Sequence, residues 1–167
     1  MNWTELETST YQDHVIKHVI GATTLGWFVA GDAVHFVLDV GLLWTIYVNG
    51  EMNLMALSVA IQDLESDELP KSVIDELTTD AQILIDQGHE ASGLKRFTAA
   101  SVGCLVEEVN LFSTNSQRRI VIRVEAGTIE IRAEADARRE VPLGSCSEVE
   151  LRGIEIFFFP SPLAERG

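Results

Sequence analysis

Apolar and polar positions alternate along the segment from Val15 to Glu51, and the alternation reflects about one point, Gly31-Asp32. Gly at the first position of a two-residue loop suits a type II′ turn, whose twist matches the flanking strands. With the turn placed there, Val29 faces Val34, Trp27 faces Phe36, Leu25 faces Leu38 and Thr23 faces Val40, so that side is almost wholly apolar. The other side pairs Phe28 with His35, Gly26 with Val37 and Thr24 with Asp39, and is mixed. One register thus sorts both strands into an apolar and a mixed face, as a half-buried hairpin requires. Only Gly41 interrupts the run that follows, so the pattern predicts one long strand bent at a bulge there. Asn49-Gly50 is a type I′ turn signal, and a further extended run over 52–61 is expected to return from it.

Residues 1–14 are polar and acidic and read as an arm or a short helix. Residues 62–69 form a charged connector. Helical spacing is clearest next: Val73, Ile74, Leu77, Ala81, Leu84 and Ile85 make one stripe, with Pro70 in the first turn and Gly88 after the last, predicting a helix over 70–87. Residues 88–97 read as a loop. In 98–112, Val102, Leu105, Val106 and Val109 fit a helical face, the reading favoured here, while the β-branched content and Gly103 would also suit a strand. A hairpin then follows, 118–125 and 128–136 about Ala126-Gly127. That register sets Ile122 against Ile131, Val124 against Ile129, Ile120 against Ala133, Arg123 against Glu130 and Arg119 against Glu134. Cross-strand pairs of this kind stabilise a sheet. The last strand is expected over 148–159, with a bulge at Gly153 and an end at Pro160 and Pro162. The whole is an α+β pattern: one domain over 1–167, an antiparallel sheet of long β-hairpins packed against a main helix at 70–87, with 98–112 as a candidate second helix. The helical stripe is expected to cover the face bearing Trp27, Phe36 and Leu38.

Composition narrows the class. A 167-residue chain with 46% hydrophobic and 23% charged residues is that of an ordinary globular domain. The net charge is −14, and residues 1–100 carry most of it, with 15 acids against 4 bases. Such a balance disfavours nucleic acid, whose phosphates demand basic contacts, and is compatible with a basic protein partner. The first residues lack the basic start and apolar core of a signal peptide. The longest run free of charged residues, His18 to Gly31, is shorter than the about 18 residues of a membrane helix. A cytoplasmic protein with no membrane partner is expected, its cysteines, Cys104 and Cys146, being free thiols.

Little chemistry stands out. His35 and Asp39 share the mixed face, but four residues of strand hold them roughly 13 Å apart. His14 and His18 would stand one helical turn apart only if 11–18 were helical. Cys104 lies in an apolar run, as a buried inert thiol does, and Cys146 in a polar loop. Glu107-Glu108 reads as a solvated acidic pair. No nucleophile-elbow, P-loop or dinucleotide-binding pattern occurs, so no catalytic residue, metal site or cofactor is assigned. The run Phe157-Phe158-Phe159 is unusual: on a strand its members alternate in direction, so one side needs a second layer or a partner.

Two functional readings follow. The first is a non-enzymatic protein-interaction module, similar in general character alone to small secretion chaperones and toxin-immunity proteins. It would form a homodimer through β-surface, with Phe157 and Phe159 in the interaction surface. The alternative is a small-ligand-binding protein or enzyme with a pocket near Thr24, His35 and Asp39. A nucleic-acid mimic is disfavoured by the hydrophobic content and by the eight arginines after residue 100.

Overall fold

The computed structural model describes residues 3–30, 33–47, 50–64, 69–114, 117–134 and 154–160. The described strands form two antiparallel five-stranded sheets. One runs β1 (Thr4–Glu5), β7 (Val106–Ser113), β8 (Gln117–Val124), β9 (Gly127–Glu134), β10 (Ile154–Pro160). The other runs β5 (Met52–Ala56), β4 (Leu42–Tyr47), β3 (Ala33–Leu38), β2 (Thr24–Ala30), β6 (Thr98–Ala99). Three α-helices accompany them: α1 (Thr10–Val19), α2 (Leu57–Asp63) and α3 (Lys71–Gln87).

These elements stack in three layers, with the β2–β6 sheet in the middle. One of its faces sets Val34, Phe36, Leu38, Trp44 and Ile46 against Val109, Leu111, Ile120, Ile122, Ile129 and Ile131 of the outer sheet. Its other face sets Phe28, Val37 and Leu43 against Ala60, Ile61, Ile74, Leu77, Ala81 and Leu84 of α2 and α3. Every residue of β3 is therefore buried.

Helix α3 takes the place expected of it, from Pro70 to Gly88, but it covers the mixed face and not the face bearing Trp27, Phe36 and Leu38. The reason is one of area. A broad, fully apolar sheet face is best matched by another sheet, about 10 Å away, and a single helix offers only a stripe. The mixed face accommodates a helix because its one buried imidazole, His35, finds Thr45 Oγ1 at 2.8 Å and stacks on Phe28 at 4.7 Å.

The first hairpin keeps the expected register from Gly26↔Val37 to Val29↔Val34, and Ala30↔Ala33 leaves 31–32 as the loop. The type of that turn lies outside the described residues. An irregularity between Thr24 and Gly26 then sets Thr24 opposite Leu38, so the expected Leu25–Leu38, Thr24–Asp39 and Thr23–Val40 pairs do not form. Gly41 is not a bend in one strand. The chain reverses there and β4 pairs back onto β3. Gly41 adopts φ +84°, which glycine alone tolerates readily, its N–H bonds to Leu38 O, and the Asp39 carboxylate accepts the Thr23 N–H at 3.0 Å. Asn49 lies outside the described residues, but the pairing around it leaves a connection one residue longer than a two-residue loop: Ile46 pairs with Met52, the Tyr47 N–H donates to Glu51 O and the Gly50 N–H to Tyr47 O. The extended run after it stops at Ala56, where β4 begins opposite, and Leu57, Ala60 and Ile61 turn a helical face inward instead.

Residues 98–112 are not the helix favoured there but hold β6 and the start of β7, joined through a turn at 102–103. The register of β7 on β8 slips between Val106 and Glu108, so Val106 and Val109 both point into the core. A bulge on a strand has produced the three-residue spacing that a helix would show. The C-terminal hairpin is offset by two from expectation. Its turn is at Glu125-Ala126, Ile122 meets Ile129, Ile120 meets Ile131, and Arg123 meets Thr128. A shift of two preserves which residues face inward, so alternation could not separate the registers. The turn is held from outside, where the Glu125 and Ala126 N–H groups donate to Leu105 O and Gly103 O.

At the N-terminus, Ser9 and Gln12 form a capping box that starts α1, so 15–19 is helix and not the first strand of a hairpin. Val15 and Val19 enter the core between the sheets. In the last strand, Ile154, Ile156 and Phe158 pack on that core. Residues 148–153, with the bulge expected at Gly153, lie outside the described residues.

Candidate interaction surface

Alternation in β7–β10 turns the isoleucines inward and a second set of side chains outward. Arg119 and Arg132 stand directly opposite each other in register, a like-charge pair that should repel. Glu130 resolves the conflict. Its carboxylate lies 3.2 Å from Arg119 Nε and 2.7 Å from Arg132 Nη2, and the residue is only 6% exposed. Arg119 Nε nevertheless has no well-aligned acceptor, so its contact with Glu130 is an ion pair and not a directed hydrogen bond.

Both guanidiniums are also stacked. Arg119 lies 4.8 Å from the ring centre of Trp3 and 4.9 Å from that of Phe112. Arg132 lies 4.8 Å from Phe157, whose ring stacks with Phe159 at 6.1 Å. A row of aromatic rings and arginines therefore crosses the outer sheet from the N-terminal arm to β10, pinned at its middle by one buried carboxylate. Cation–π contacts hold such side chains in place. Phe159, at the end of the row, is 46% exposed. Of the row, Phe157 and Phe159 are legible as unpartnered aromatics. Trp3, Phe112 and Arg119 are not, because the sequence does not show that β1 and β7 are neighbours.

Thr24, His35 and Asp39 belong instead to the central sheet and the turn after β3. Thr24 is buried, its hydroxyl donating to Cys104 O at 3.2 Å. His35 is buried in mid-sheet, and burial lowers its pKa from 6.5 to about 4, so it is neutral near pH 7. Asp39 sits exposed in the turn after β3. An open cleft of about 550 Å³ lies elsewhere, lined by Glu5, Glu7, Asp13, Ile16 and Leu111 among others. Glu107 and Glu108 both reach Arg123, at 3.6 and 2.9 Å, and Cys104 is a buried free thiol. Cys146 lies outside the described residues. No group of three or more His, Cys, Asp or Glu among the described residues is placed to hold a metal, and none of the described helices is long and apolar enough to cross a membrane.

The fold defines a three-layer α+β protein with antiparallel hairpins. Compared with protein-family models, with curated proteins and with solved structures, the chain gives no match.

Proposed function

We propose that this chain is a non-enzymatic protein-interaction module, chaperone-like or immunity-like in general character only, that associates with a second copy of itself through the outer face of the β1–β7–β8–β9–β10 sheet. The observation that carries the reading is the row Trp3, Phe112, Arg119, Arg132, Phe157, Phe159. Aromatic residues and arginine are the types enriched in protein interfaces and in their energetic centres. Their rotamers are already restrained by stacking and by Glu130, which lowers the ordering cost of binding. The charges of its two arginines are already met by Glu130 between them, so the aromatic row can meet its own copy, and a two-fold contact is the commonest form of such self-association. The helical face is a poorer candidate, since Asp75 and Asp86 of α3 would meet their own copies. A cytoplasmic setting belongs to the same reading and is supported by the free thiol of Cys104.

Light scattering at micromolar concentration and moderate salt tests the proposal. The expected mass is twice the 18.4 kDa of one chain, falling to a single chain in Phe157→Ser/Phe159→Ser. A mass near 18.4 kDa that does not change on concentration sinks the self-association.

A further inference from the structure

His14 and His18 lie four residues apart on α1 and are both exposed. Side chains at this spacing share one face of a helix, and their ring centres are 4.5 Å apart, tilted by 54°. Helix α1 is well anchored. Ser9 caps it, Val15 and Val19 are buried, Gln12 Nε2 donates to Gly50 O at 2.6 Å, and the Tyr11 hydroxyl bonds to Asn53 Oδ1 at 3.1 Å. The pair is thus presented on a fixed scaffold. The tautomer of His18 is also set: its Nδ1 lies 2.8 Å from the His14 carbonyl oxygen. A carbonyl only accepts, so Nδ1 carries the proton and the Nε2 lone pair is left for a ligand. That is the arrangement of a metal-binding histidine, one nitrogen bound to a backbone carbonyl and the other to the ion.

We propose that His14 and His18 chelate one late first-row divalent cation, of the Zn²⁺ class, on the solvent face of α1, with water in the remaining coordination positions. Two helical imidazoles one turn apart are a recurrent zinc-binding unit. Imidazole selects Zn²⁺, Ni²⁺ and Cu²⁺ over Mg²⁺ or Ca²⁺, which take oxygen ligands. The net charge of −14, most of it in residues 1–100, draws cations toward the molecule. Lys17 is the one opposing charge on α1.

Isothermal titration of the full chain with Zn²⁺, beside Mg²⁺ as control, tests this. One Zn²⁺ per chain is expected and no Mg²⁺. Affinity should weaken as the solution is acidified, because proton and metal compete for imidazole. His14→Ala and His18→Ala should each lower the affinity by about tenfold or more, since even the loss of an outer partner of a ligand costs that much. Both side chains are exposed, so these variants keep the fold, which circular dichroism checks. The exchange Asp13→His/His14→Asp keeps two histidines but breaks the one-turn spacing, and it should lose binding equally. His89→Ala and Cys146→Ser should leave it unchanged. Absence of Zn²⁺ binding, wild-type affinity in His14→Ala, His18→Ala or the exchanged variant, or loss in either control variant would overturn the proposal.

Discussion

Asp80 shows how much one side chain can organise. It sits on α3 at 1% exposure, and its carboxylate accepts the backbone N–H groups of Lys95 (3.0 Å), Arg96 (2.6 Å) and Phe97 (2.9 Å). Those bonds tie the loop before β6 to the helix and seat Phe97 against Phe28, 4.8 Å away. The sequence places Asp80 off the apolar stripe, as an ordinary charged residue, because nothing local reveals that a loop fifteen positions on will fold over it. Asp80→Ala strips three donors of their acceptor, of which the Phe97 N–H is buried, and an unmet buried group costs about 1–3 kcal/mol. We expect a loss of about 1–3 kcal/mol in urea unfolding, and a smaller one for Asp80→Asn, which keeps one acceptor oxygen. His35 makes a different prediction. Its pKa is lowered to about 4 by burial, so the unfolded chain takes up a proton below about pH 6.5 while the folded chain resists until about pH 4. The stability it protects is complete above the unfolded value and is lost as pH falls through that window, by about 3 kcal/mol in all. Unfolding curves at pH 7 and pH 4.5 should differ more for the wild type than for His35→Gln; equal differences would show that another group governs the loss.

At the scale of elements, hydrophobic spacing was readable where one face was uniform and the turn local. The segment 26–37 paired as its alternation demands, and α3 ran between its proline and its glycine. The failures share a cause. The bulge between Val106 and Glu108 gave a strand the spacing of a helix, and the C-terminal hairpin slid by two residues into a register that alternation permits equally. In both, the deciding contacts come from distant chain. Of the stacked row, Phe157 and Phe159 stand out in the sequence as aromatics and their partners across the sheet do not. Gly26 is another position where an element depends on remote packing. A Cβ there would lie 2.7 Å from Thr98 O and 2.9 Å from a Leu84 methyl carbon, so β2, β6 and α3 meet over a bare backbone. Gly26→Ala should force these apart and cost about 1–3 kcal/mol, the range for overpacked sites. A melting temperature equal to the wild type would show that the neighbours give way freely.

For the molecule as a whole, the central sheet makes one unit of two cores. Val34, Phe36 and Trp44 belong to the core between the sheets, and Val37 and Leu43 to the core beneath the helices, so neither can melt without exposing the same strands. Leu77→Ala, at a fully buried position, should cost about 2–5 kcal/mol. Because the cores share β3 and β4, its effect should reach Trp44 on the far side of the sheet. Tryptophan fluorescence and far-ultraviolet circular dichroism should therefore report one common transition in both proteins. Separate midpoints would mean that the helical layer comes off alone.

The burial of β3 on both sides carries a cost during synthesis. Residues 33–47 leave the ribosome before either of their covers exists. The helices follow at 57–87, and the inner face of the outer sheet comes only after residue 105. Until then the wall bearing Trp27, Phe36 and Trp44 is an open apolar sheet, the kind of surface on which nascent chains aggregate. The half-made chain is thus the form most in need of shielding, and delay in translating the second half prolongs its exposure.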